Sequence, residues 1–152
     1  MAGRPTFVRN AALLLGWTFT VKHNVCDFIY GVGRSMEPVI PDGSVAVIDR
    51  LTPHWRAYQR GDVVLLRSPT RKDGSFVIKR ILAMEGDTVE LQPRFDQSRA
   101  DRVVVPKGHL WVEGDNATMS VDSRHIGAVP AALMEGRVQA IAWPLERMGR
   151  IR

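Results

Sequence analysis

Residues 61–91 read GDVVLLRSPTRKDGSFVIKRILAMEGDTVEL. Gly61-Asp62 is a turn signal, and the apolar run Val63–Leu66 follows it. Ser68–Gly74 is polar and holds Pro69 and Gly74. Phe76–Met84 is a second apolar run, closed by Glu85-Gly86-Asp87, and Thr88–Leu91 is a third. Short apolar runs separated by Gly-, Pro- and Asp-containing turns are the pattern of short strands, not helices. The pattern extends both ways. Ser44–Ile48 follows the turn Pro41-Asp42-Gly43, and Val103–Val105, Leu110–Glu113 and Val138–Trp143 are further strand-like runs. Pro93–Arg102 reads as a surface loop and Gly114–Gly127 as a long polar connection. The sequence predicts a mostly β domain of short antiparallel strands, closed or partly closed.

Composition agrees with that reading. The 152 residues suit one domain, and 45% apolar with 24% charged residues is ordinary globular usage. The net charge is +5, but the basic residues (Arg56, Arg60, Arg67, Arg71, Lys72, Arg99, Arg102) are scattered singly, without aromatic platforms between them. That is a solvated surface, and no nucleic-acid partner is expected. One cysteine, Cys26, excludes an internal disulfide and a Cys-based zinc site. No phosphate-binding glycine motif and no HExxH are present, so no metal and no cofactor are expected.

Residues 1–30 differ from the rest. Ala11–Val21 (AALLLGWTFTV) is apolar but short of the ~20 residues that span a bilayer. Lys22, His23, Asn24 and Asp27 interrupt it before Phe28, Ile29 and Tyr30. Three readings stand: a marginal transmembrane or interfacial anchor with Lys22 snorkelling to the headgroups, a docking helix for a partner, or an amphipathic core helix. Residues 1–30 are read as an anchor or docking segment, and residues 31–152 as the β domain.

Chemistry is suggested at three places. Lys79 lies in the middle of a strand, where one face carries Val77, Ile81 and Ala83 and the other Phe76, Ile78 and Leu82. Both faces are apolar, so alternation does not decide whether Lys79 or Arg80 points inward. A lysine turned inward loses its proton easily and becomes a competent general base. Ser35 follows Gly31 and Gly33 and precedes Pro38, on a turn able to present both its hydroxyl and its N–H. The third place is Gly114-Asp115-Asn116 with Ser120, Asp122, Ser123 and Arg124, a density normal for an Asx-type turn network. Asp122 and Arg124 have the spacing of a local ion pair. A Ser-His-Asp triad stays open beside these, since triads assemble in space.

Taken in order, Ser35-Met36-Glu37-Pro38, Gly61-Asp62-Val63-Val64, Lys79-Arg80-Ile81 with Glu85-Gly86-Asp87, and Gly114-Asp115-Asn116 through Ser120, Asp122, Ser123, Arg124 and Gly127 resemble the type I signal peptidases, membrane-bound Ser-Lys endopeptidases. The resemblance covers about Val32–Trp143. The SMEP, YQRGDVV, GHLWVEGDN and AIAWPLERMGRI segments look more like the mitochondrial inner membrane proteases, and their subunit 1 type, than the bacterial leader peptidases. The resemblance implies a signal-peptidase-like, partly closed β domain. It implies Ser35 as nucleophile, Lys79 as general base, Ser120 as the serine that orients Lys79, Asp122 and Arg124 as a structural pair, and Met36 as a lining residue. The Ser35 N–H would be one oxyanion donor. Where some members carry a serine two residues before the nucleophile, this chain has Gly33, which leaves the second donor unassigned. The implied partners are precursor polypeptides with cleavable sorting signals, bound as an extended strand, a second peptidase subunit, and membrane lipid. The implied location is the mitochondrial inner membrane, with the catalytic domain facing the intermembrane space. Competing readings are a compact bacterial-type signal peptidase, an autoproteolytic repressor-type domain, a non-catalytic β-rich subunit or binding module, and a basic β-barrel for nucleic acid.

Overall fold

A computed structural model describes residues 26–31, 33–51, 57–91 and 102–151. The strands are β1 (Cys26–Tyr30), β2 (Val45–Asp49), β3 (Val63–Arg67), β4 (Phe76–Ala83), β5 (Thr88–Glu90), β6 (Arg102–Val104), β7 (His109–Glu113), β8 (Val129–Pro130), β9 (Met134–Trp143) and β10 (Gly149–Arg150). The main sheet runs β1-β2-β9-β3-β4-β7-β8, with β10 added to β9, and β5 and β6 form a separate ribbon. Every pairing is antiparallel. The sheet curls into a half-barrel. Register shifts in the β2–β9, β3–β9 and β4–β7 pairings supply the bends. Gly136 allows one of them. A Cβ there would stand 2.6 Å from Ile48 Cγ2 and 2.9 Å from the Asp49 carbonyl.

Curling gives β4 core on both sides. Ile78 packs on a cluster of Met36, Ile40, Ala46, Ile48, Val63, Leu65, Val138 and Ile141. Ile81 belongs to a second cluster with Val64, Leu66, Leu110, Val112 and Val129. A third, smaller cluster of Ala83, Val105 and Trp111 lies under the ribbon, against Val89, Leu91 and Val103.

The runs read as strands are strands, with β9 starting at Met134 instead of Val138. The division at residue 30 falls differently. Cys26–Tyr30 is not part of a leading segment but a strand of the main sheet, paired with β2 from Cys26↔Asp49 to Tyr30↔Val45. Its alternation is real, but the outward residues, Phe28 and Tyr30, are apolar and exposed, which hides the period. The connection 114–127 is more ordered than its polarity suggests. It contains a 3-10 turn, Ala117–Met119, and one helical turn, α1 (Ser123–Ile126). The Ala11–Val21 stretch and most of the 93–102 loop lie outside the described residues. Among the described residues no helix is long and apolar enough to cross a membrane.

Candidate active site

β4 settles which cation points inward. Lys79 pairs with Val64 and Arg80 with Val63. Lys79, Ile81 and Ala83 are buried on one face, and Lys79 is only 5% exposed. Arg80 leaves by the other face, where its guanidinium meets Asp115 twice, at 2.8 Å each, and donates to the Gly61 carbonyl at 2.9 Å.

Lys79 Nζ donates to Ser120 Oγ at 2.9 Å, and the Ser120 hydroxyl donates to Asp122 Oδ2 at 2.5 Å. Asp122 is buried and holds several partners. Its Oδ2 also accepts the Gly114 N–H at 2.9 Å and an Arg124 N–H at 2.5 Å, while Oδ1 accepts Arg124 Nε–H at 2.9 Å. Burial alone would raise the Asp122 pKa. The hydrogen bonds from Arg124, Ser120 and Gly114 outweigh it and hold the carboxyl at about 2. Burial pushes the Lys79 amine below the ordinary lysine range. The Asp122 charge opposes that shift, and Arg124 and Arg71 add to it. Charge on Asp122 is thus already balanced by Arg124, and desolvation is the largest influence on Lys79.

Ser35 is placed by its turn and by residues 114–116. Its carbonyl accepts the Asn116 N–H at 3.0 Å. The turn is fixed further by the Gly33 N–H on Asp42 Oδ1 at 2.8 Å and the Ser44 hydroxyl on the Pro41 carbonyl at 2.6 Å. Among the described residues no acceptor takes the Ser35 N–H. Gly114 is required by closeness, because a Cβ on it would run into the Ser120 hydroxyl and the Ser35 carbonyl. Ser35, Met36, Lys79 and Asp122 line one open cavity of about 290 Å³. Met36 is buried and belongs to the first core cluster.

The site therefore assembles the four separated sequence blocks. Sequence reasoning missed Arg80, Asp115 and Asn116 as the braces that join them, since an ion pair between β4 and a loop leaves no local spacing signal. Of the histidines, His109 Nδ1 meets the Lys107 carbonyl and His125 faces Asp122. Neither lines the cavity that holds Ser35. His23 and His54 lie outside the described residues.

A buried amine held below the ordinary lysine range and the Ser35 turn thus line one cavity open to solvent. Comparison with known proteins shows the family. The family model "Signal peptidase, peptidase S26" matches residues 5–97 and 91–143. Mitochondrial inner membrane protease subunit 1 of Mus musculus is 34% identical over 91% of this chain and 87% of its own length. Mitochondrial ATP-independent inner membrane protease subunit 1a of Arabidopsis thaliana is 42% identical over 79% of this chain and 72% of its own. Mitochondrial inner membrane protease subunit 2 of Schizosaccharomyces pombe is 41% identical over 78% and 66%. A crystal structure of a signal peptidase I from Enterococcus faecalis V583 superposes with a TM-score of 0.45, at 25% identity, over 54% of this chain and 97% of that one. The chain belongs to the signal peptidase family, peptidase S26, and is a serine-type signal peptidase hydrolase.

Proposed function

We propose that this chain is a Ser-Lys endopeptidase that removes sorting signals from precursor proteins at the mitochondrial inner membrane, with its catalytic domain in the intermembrane space. One observation carries the reading: a buried amine, hydrogen-bonded to Ser120, lines the same cavity as the Ser35 turn.

Ser35 Oγ attacks the scissile carbonyl while Lys79 Nζ takes its proton. The Ser35 N–H, which no protein acceptor takes among the described residues, donates to the developing oxyanion. Lys79 then gives the proton to the leaving amine, and the C–N bond breaks. Water enters, loses a proton to the same amine and attacks the ester, which releases the new carboxylate and restores Ser35. Ser120 keeps the Lys79 lone pair aimed, and Asp122 with Arg124 keeps Ser120 aimed. Ser35 and Lys79 suffice for these steps.

The substrate is a precursor segment in extended form, laid along a sheet edge. The relatives are named as subunits 1 and 2, which supports a partner peptidase subunit for this chain. An outward apolar face on β1, β2 and β9 supports contact with lipid.

The test is cleavage of a precursor with a cleavable sorting signal, in lipid or detergent, with a partner subunit co-expressed. Ser35→Ala and Lys79→Met, each shown to be folded, should each lower kcat by about a thousandfold or more. Wild-type cleavage by Lys79→Met would make Lys79 structural or assign the activity to the partner.

A further inference from the structure

We propose that His125 is a positioning residue for Lys79, acting through the cap of α1. The inference rests on Lys79 being the base.

The argument begins at Asp122, which has two duties. As the N-cap of α1, its Oδ1 accepts the Arg124 backbone N–H at 3.3 Å. Its Oδ2 accepts the Ser120 hydroxyl, and Ser120 Oγ in turn accepts the Lys79 amine. A carboxylate is rigid, so any turn of it that frees the cap also swings the oxygen that holds Ser120. The position of the lysine lone pair is therefore tied to the cap of a single helical turn.

One turn of helix is held by few backbone bonds, here from the His125 and Ile126 N–H groups to the Asp122 carbonyl and from the Gly127 N–H to the Ser123 carbonyl, and none of these holds the Asp122 N–H. His125 supplies the return half of a capping box. It occupies the third helical position, and its Nδ1 accepts the Asp122 backbone N–H at 3.5 Å. The same nitrogen lies 3.8 Å from Asp122 Oδ1. This role is usually filled by Glu or Gln. His125 holds the Asp122 main chain while the carboxylate does its work, and it stays 54% exposed. It touches neither Ser35 nor the cavity, so it acts only through Asp122 and Ser120. The other charged groups at this turn are Arg124 and, on β7, Glu113, which lies 3.5 Å from Arg124.

The geometry predicts which property of His125 matters. A neutral acceptor at this position suffices, and charge is not needed. Gln at 125 can accept the same N–H, whereas Ala and Leu cannot. Because a misplacement of about 1 Å at a catalytic group can lower a rate about a hundredfold, loosening this cap should act on kcat and not on substrate binding.

The experiment is steady-state precursor cleavage by the full chain for wild type, His125→Ala, His125→Leu, His125→Gln and Lys79→Met. It is run below the melting temperature of each variant, with circular dichroism as the fold check. We expect kcat to fall about tenfold in both His125→Ala and His125→Leu, with KM within about twofold, and His125→Gln to stay within about twofold of wild type. A purely structural histidine would lower the melting temperature and leave kcat alone. If His125→Leu keeps wild-type kcat, or if His125→Gln is as impaired as His125→Leu, the inference is wrong while the Ser-Lys reading stands. If Lys79→Met cleaves like wild type, both fall.

Discussion

A lysine that is 5% exposed persists in a folded protein as a free amine or as half of a close ion pair. The carboxylate whose charge acts on Lys79, that of Asp122, is linked to it through Ser120 and is already paired with Arg124. Burial therefore prevails and lowers the amine's pKa. The consequence for stability has a definite sign. Unfolded lysine titrates near ~10.4, and the folded group titrates lower. At pH values between the two, the unfolded chain binds a proton that the folded chain does not, so stability declines as pH falls through that interval. Lys79→Met removes the penalty. It should be inactive yet melt higher at pH 7, by about 2–4 °C for each kcal/mol recovered in a chain of this size. The difference should shrink as pH rises toward the ordinary lysine range. Calorimetry of both proteins at pH 7 and pH 9 checks this, and a variant that melts lower at both pH values would contradict it. In the wild type, kcat/KM should rise with pH as the amine loses its proton, with the rise centred below the ordinary lysine value.

The element that assembles the site is the 114–126 segment. Its tightest point is Gly114, whose backbone lies so close to Ser120 and Ser35 that a methyl group has no room. Gly114→Ala should destabilise the fold by about 1–3 kcal/mol through overpacking, and it should lower kcat further than that loss explains, because it pushes apart the nucleophile's turn and the serine that aims Lys79. Urea denaturation together with kcat at a permissive temperature checks both. Unchanged kcat in a destabilised protein would mean that the close approach serves packing alone. This segment also marks how far the sequence could be read. The strands were legible because turn residues bound each apolar run. Ser35, Lys79 and Ser120 were legible only as members of an ordered set of blocks. The inward choice between Lys79 and Arg80 was not legible, since β4 lies between two core clusters and is apolar on both faces. The order hidden in 114–127 was not legible either, because its bonds go to distant partners: Asp115 to Arg80, and Asn116 to Ser35.

At the scale of the whole molecule, one apolar face of the sheet beside the site is left uncovered among the described residues. Strand register places Tyr30, Val45 and Trp143 in one row across β1, β2 and β9, and Phe28, Val47 and Ala140 in the next. Phe28, Tyr30 and Trp143 are exposed, and so are Leu145 and Met148, which follow β9 in the chain. Arg150 stands opposite Ala140 in the β10 pairing, and Arg147 lies between Leu145 and Met148. Large apolar side chains bordered by arginines suit a bilayer interface, where the apolar parts enter the acyl region and the guanidinium groups stay with the headgroups. Tyr30 also lines the cavity, so a membrane on this face would hold the site at the level of an emerging sorting signal. Trp143 and Leu145 lie outside the cavity lining and are exposed, so Trp143→Ser with Leu145→Ser should fold normally. Burying one large side chain contributes about 1.5–3 kcal/mol. The double variant should therefore bind liposomes at least about tenfold more weakly. Cleavage of a precursor embedded in vesicles should fall in parallel, while cleavage of a soluble peptide in detergent stays within about twofold of wild type. Equal liposome binding by the variant would mean that this face does not carry the contact with lipid.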